Sequence, residues 1–341
     1  MRTSLSRSLL LLVASTALAA GAVAPGPAGA TRPAGAGQDD ARAAAFLEPR
    51  DLPRGPDAAV PHVEGSTFVD GARRVELDAG RVGLLGRSGT AFVLRTSRDD
   101  GSRARVVRLL PDDGTEVLLR GRDSESVRLS TDGRRLVQAR ATSRGGAPTT
   151  RVSAWDARTG ALVHRHRLPG YVDLLDSTRR RALLSTEGLT FRLDLATGRR
   201  TTLVARRAGA ADLAAGRLAT YTGDPYQGGC TVVSTLAEPR RALWRSCTER
   251  VDDFSPDGRH MTTIDLLADG IGPGSVWLRT TRGRQLAQWR TGWFGTTGWE
   301  GPATVLLEVN GRRSSALVRC TPDACDNATD PGPVPQLRRG A

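Results

Sequence analysis

The chain has 341 residues, of which 39% are hydrophobic, 25% charged and only 4% aromatic; this is the composition of a folded soluble protein and excludes a disordered or a membrane-embedded chain. All 49 side-chain cations are arginine, set against 36 Asp and Glu for a net charge of +13. Without lysine there is no Schiff-base lysine, no P-loop lysine and no lysine general base.

The chain opens with the features of a secretory signal over residues 1–30. Arg2 and Arg7 give a positive start, Leu9 to Ala20 are almost wholly apolar, and small residues lead to an A-x-A pattern at Ala28-Gly29-Ala30. Ala17-Leu18-Ala19 is an earlier alternative for cleavage. The apolar run is too short for a comfortable span, so no transmembrane segment is expected in the mature chain. Residues 31–61, rich in Ala, Pro, Gly and Arg and without a sustained period, read as a flexible leader. Residues 331–341 read as a tail of the same kind, which leaves 62–330 as the folded body.

Within that body one unit recurs: strand, turn rich in Asp, Gly, Pro or Thr, strand. Its central apolar residues are Val107, Val152, Phe191, Val232, Val276 and Leu317, spaced by 45, 39, 41, 44 and 41 residues. A second hairpin precedes most copies, clearest as Leu129-Ser-Thr-Asp-Gly133 and Phe254-Ser-Pro-Asp-Gly258. Four short strands per unit at a period near forty predict an all-β propeller, because one such sheet cannot bury both faces and a ring of them can. Six units are countable. Thr67 to Leu77 is an extra β segment, expected to close the ring as outer strand of the last blade; a seventh blade is the alternative.

The Phe254-Ser-Pro-Asp-Gly segment and the Trp155-Asp156 dipeptide resemble WD-repeat and TolB-like propellers over about residues 65–330. The resemblance implies architecture and says little about activity.

The four cysteines are even in number, as an exported protein with disulfides requires. Cys230 and Cys247 are equidistant from the turn at 237–240, and Cys320 and Cys325 flank Thr-Pro-Asp-Ala, so each pair is expected to staple a hairpin. Their spacings match no zinc ligand set. The sequon at Asn327-Ala-Thr329 is discounted, because the arginine-only basic set and the signal point to a GC-rich bacterium.

Functional residues are harder to place. His164 and His166 share a strand face, conceivable as metal ligands and more simply an outer-strand surface. Neither a Gly-x-Ser-x-Gly elbow nor a His-Glu-x-x-His motif occurs. Asp173, Asp212 and Asp253 each precede the apolar residue of an innermost strand in successive units, with Arg128 in the unit before. At equivalent positions they would form a polar channel mouth for a small cationic or polyhydroxylated ligand; the plainer alternative is turn capping and pairing with arginine. Trp293 and Phe294 fall in a connection and form either an aromatic lip or blade-to-blade packing. No catalytic residue, metal or cofactor is expected. The composite reading is an exported, extracytoplasmic, monomeric and non-catalytic binding or scaffold propeller. An envelope protein or anionic polymer would be its partner rather than nucleic acid. A secreted hydrolase or lyase on the same scaffold is the alternative.

Overall fold

Short runs of β-branched and aliphatic residues cut by Gly, Pro, Asp and Thr turns can only pair locally, and the computed structural model of the protein consists of such hairpins. It describes residues 44–143 and 146–335; the signal reading of 1–30 and the first part of the leader lie outside them. Seven sheets are present among the described residues. The six repeat units fold into successive blades at 81–120, 128–169, 173–204, 208–246, 249–290 and 293–327, each laying its own four strands side by side in chain order. Their innermost strands follow one another in contact and line a channel.

The seventh blade comes first in the chain and has three strands, His62–Glu64, Thr67–Asp70 and Arg73–Glu76. The ring therefore has seven blades, the alternative count from sequence. Residues 67–77 do not complete the last blade, because that blade fills its own outer edge with Cys325–Asn327. They form a blade instead, whose Phe68 is fully buried and meets Phe92 of the next blade at 4.6 Å between ring centres. His62–Glu64 packs on Arg81–Ser88, the innermost strand of the following blade. On its other side a wide cleft separates it from Trp293–Trp299, the innermost strand of the last blade.

Part of the expected flexible leader is firmly bound. Ala45–Phe46 adds in parallel to Gln285–Arg290, the outer strand of the blade at 249–290. Leu47 enters the core between the last two blades together with Val276, Leu278, Phe294 and Val309. Farther on, Asn327 donates through its side-chain amide to the carbonyls of Pro49 and Leu52 at 2.7 and 3.1 Å. Its backbone N–H bonds the Pro53 carbonyl at 2.9 Å. The Asn327 side chain is thereby buried, at 1% exposure. We call 44–61 the strap. The start of the tail is also held, by two 2.9 Å backbone bonds between Gly332 and Ser315.

The Ser-x-Asp-Gly turn has a structural job that explains its recurrence. Ser130 Oγ accepts the N–H groups of Arg134 and Arg135 at 3.1 and 2.9 Å and donates to Asp132 at 2.6 Å. The other oxygen of Asp132 accepts the Arg179 N–H of the next blade at 3.0 Å. Gly133 sits at φ 67°, and a Cβ there would run into the Arg87 carbonyl of the preceding blade. Gly133→Ala is expected to lower stability by about 2–3 kcal/mol, from left-handed strain plus the clash. Urea unfolding measures it; a change below about 0.5 kcal/mol, the range of ordinary surface substitutions, would show that the blades do not meet so closely.

Both disulfides form as expected, Cys230–Cys247 and Cys320–Cys325, and no cysteine is free. Thr231 pairs with Ser246 and Cys320 with Cys325, so each bridge spans facing positions of adjacent strands.

Candidate functional site

The strand registers show where the four channel candidates stand. Arg128 faces Val137 and Asp253 faces Thr262; each partner is the third residue of its strand. The same register in the blade at 173–204 belongs to Asp176, opposite Leu183. Asp212 faces Arg217, the first residue of its strand, and so lies in the turn. Asp173 faces Ser185 at the far end of its strand. Asp173, Asp212 and Asp253 therefore do not share one level. The cause is a bulge in each innermost strand, between Leu174 and Asp176, Ala208 and Ala210, and Val251 and Asp253. An extra residue moves the following side chains to the other face and shifts any alignment made on the apolar positions.

Asp176, Asp212 and Asp253 gather instead, with Asp252, at the turn end of the channel. Burial pushes the Asp253 carboxyl up to about 6, and the charges of Asp252 and Asp212 push in the same direction. The Phe254 N–H, at 2.9 Å, opposes the rise. The indole N–H of Trp299 also opposes it, from outside normal hydrogen-bond geometry. Burial likewise raises Asp176, against the N–H groups of Leu213 and Ser177 at 2.7 and 2.6 Å. Asp212 caps its own turn by accepting the Ala215 N–H at 2.8 Å. Asp253 can hold a proton near neutrality, and the visible work of Asp176, Asp212 and Asp253 is fastening turns. Among the described residues no three His, Cys, Asp or Glu side chains converge as a metal site would require.

The other end of the channel is basic. Asp173 stands 3.6 Å from Arg207, and both line a pocket of 470 Å³ with Ser126; Arg128, whose backbone stands level with Asp253, also lines it. Arg128 donates to the Leu175 carbonyl at 3.2 Å. Ser126 also lines the large cleft of 1830 Å³, so the two spaces adjoin. Arg81, Gly83, Arg95 and Ser97 reach that cleft from the blade at 81–120, and Trp293, Gly298 and Trp299 from the last blade. Arg81 faces Ser97 and Arg95 faces Gly83 across the strand pair, which puts all four on one face.

Trp293 is half-buried on the cleft wall, whereas Phe294 is fully buried in the core between the last two blades. The connection expected at these two residues is in fact the start of strand Trp293–Trp299. Alternation then turns the indole to the cleft and the phenyl ring inward. Of the histidine pair, His166 bonds the Leu195 carbonyl at 2.6 Å, and burial lowers His164 with Arg135 adding to the effect. Both lie on the outer strand Leu162–Pro169. Arg81 and Arg95 went unnoticed in the sequence; the available signal was two arginines flanking a glycine on paired strands.

No family model matches the chain, and no curated protein does. Solved structures do. The acylaminoacyl peptidase of Pyrococcus horikoshii is 10% identical with a TM-score of 0.56, over 81% of this chain and 54% of that one. The β-propeller domain of the Trilobed protease from Pyrococcus furiosus, described as having an open velcro topology, is 10% identical with a TM-score of 0.53, over 80% and 95%. TolB from Acinetobacter baumannii is 14% identical with a TM-score of 0.42, over 67% of this chain and 60% of that one. The chain thus spans 60% of TolB and about half of the peptidase. At such identities the likeness is one of fold: the propeller expected from the sequence.

Proposed function

We propose that this protein is an exported, non-catalytic binding propeller of the cell envelope or extracellular space. Its ligand lies in the cleft between the first and last blades. The observation that carries the reading is the cleft itself. Its 1830 Å³ exceed the roughly 300–1,000 Å³ of a small-molecule pocket, and it joins indole surface, arginines and hydroxyls on rigid strands. The N-terminal signal features and the two disulfides support export. An envelope protein or an anionic polymer is the partner class that the exported chain attracts, its net charge of +13 falling by the two signal arginines Arg2 and Arg7 to 13 − 2 = +11.

Gly298 allows a direct test. It lines the cleft, and a Cβ built on it meets no atom within 4 Å. Gly298→Trp fills the cleft without disturbing the blade. Cosedimentation with the envelope fraction of the producing cell is expected to weaken at least about 10-fold, the scale of a blocked central contact, at unchanged melting temperature. Equal cosedimentation of the two proteins rejects the cleft as the binding site.

A further inference from the structure

We propose that the ligand of this cleft is an acidic saccharide. Its rings would lie against Trp293, and its carboxylates on the arginines around Ser126; the inference rests on the cleft-binding reading above. Ser126 is the hinge of the argument, since it lines both spaces. Arg81 and Arg95 approach from one side of it, and Arg128 and Arg207 from the other.

All four arginines are exposed. Arg81 and Arg95 have neither an ion pair nor a side-chain hydrogen bond among the described residues. Gly83, between them on the shared face, leaves open space where a side chain would stand. Against these four guanidiniums stand the carboxylates of Asp173, which already faces Arg207, of Asp176, which feels the charge of Arg128, and of Glu125. The other acids of the cleft are engaged: Glu64 by Arg74 and His62, Asp57 and Asp330 by Arg54, and Glu308 by the N–H and hydroxyl of Thr296. The mouth is therefore a place of uncompensated positive charge presented as planar forks. That geometry matches a carboxylate bidentately, and the guanidinium gives up its hydration readily.

The second half of the recognition is apolar and flat. Trp293 presents its indole to the cleft in a protein only 4% aromatic, whereas Trp299, past the bulge after Phe294, packs on the core shared with the blade at 249–290. An indole offers a wide face for the C–H side of a sugar ring and an N–H for its hydroxyls. Ser97 and Ser126 add hydroxyl partners on the arginine side. The volume has room for an oligomer rather than a single ring.

Titration calorimetry with the full chain tests this, using a tetramer of mannuronic acid as probe. Neutral mannotetraose and polyglutamate serve as comparators. The acidic tetramer is expected to bind and the neutral one to bind at least about 10-fold more weakly, as the loss of charge-assisted bonds dictates. Raising salt from about 50 to about 500 mM is expected to weaken binding about 10-fold or more. Arg81→Gln with Arg95→Gln is expected to weaken it about 30-fold, and Trp293→Ala about 10-fold, each at unchanged melting temperature. Indifference to the arginine changes overturns the site. Equal affinity for mannotetraose overturns the acidic requirement, and equal affinity for polyglutamate overturns the sugar. If the acidic tetramer does not bind while Gly298→Trp still weakens envelope cosedimentation, the saccharide is rejected and cleft binding stands.

Discussion

Glu48→Ala is expected to lower stability by about 3–5 kcal/mol, the largest loss from any single side chain of the strap. The Glu48 carboxylate, 7% exposed, accepts the N–H groups of Arg312, Arg313 and Ser314 at 2.8, 3.3 and 3.1 Å and the Ser314 hydroxyl at 2.8 Å. Truncation leaves four donors beside an empty space, at about 1–3 kcal/mol for each that stays dry; water entering the turn offsets part of that. Burial alone would raise the pKa of Glu48, but the Ser314 hydroxyl and the Arg312 and Arg313 N–H groups outweigh it, and the net shift is downward. Folding therefore favours the ionised form. The contribution is complete above the ordinary carboxylate range and is lost as pH falls through the lowered folded value. Urea unfolding of wild type and Glu48→Ala at pH 7 and pH 3 measures both effects: a wide gap at neutral pH that narrows in acid. A gap that stays constant with pH would mean that the charge of Glu48 is not what its donors read.

Asp253→Asn is expected to act in the opposite direction and stabilise the protein by about 3 kcal/mol at pH 8. The carboxyl is raised from an ordinary 3.8 to about 6 by burial and by neighbouring aspartates, so the folded protein holds this proton more tightly than the unfolded chain. Stability must fall as pH rises from the unfolded value through the folded one, by about 1.4 kcal/mol for each pH unit between them. Asparagine keeps an acceptor for the Phe254 N–H and removes the charge. At pH 3.5, where both proteins are neutral at this site, their unfolding midpoints should coincide, and they should separate progressively up to pH 7. Parallel stability curves would dismiss a buried charge at this position.

The sequence made the architecture legible because each blade is built from its nearest neighbours along the chain. Val107, Val152, Phe191, Val232, Val276 and Leu317 all fall on corresponding strands of the six complete blades. The disulfides were legible for the same reason, since equidistance from a turn is a statement about local pairing. What escaped was anything that depended on one residue of register or on distant contact. The bulges before Asp176, Ala210 and Asp253 leave no compositional mark, so an alignment on apolar positions grouped Asp173 with acids at the other end of its strand. The strap escaped because only Ala45–Phe46 is a strand; the rest is held by Glu48, Asn327 and backbone groups, which no hydrophobic period announces. The first blade was seen as β structure and assigned to the wrong neighbour, because the strand that excludes it from the last blade is the three-residue Cys325–Asn327.

The strap also imposes an order of events. Arg50 bonds a hydroxyl 264 residues downstream, at Ser314, and Asn327 reaches back 278 residues to Pro49. Every blade can assemble from hairpins as soon as its own strands exist, at little loop-closure entropy. The strap leaves the ribosome before any of its docking surface has been made. Leu47, almost wholly buried once docked, must remain exposed or be sheltered through synthesis of nearly the whole ring. Closure is then a late step of folding, and the chain is vulnerable to proteolysis and to capture by another copy's open edge until the strap meets the last two blades.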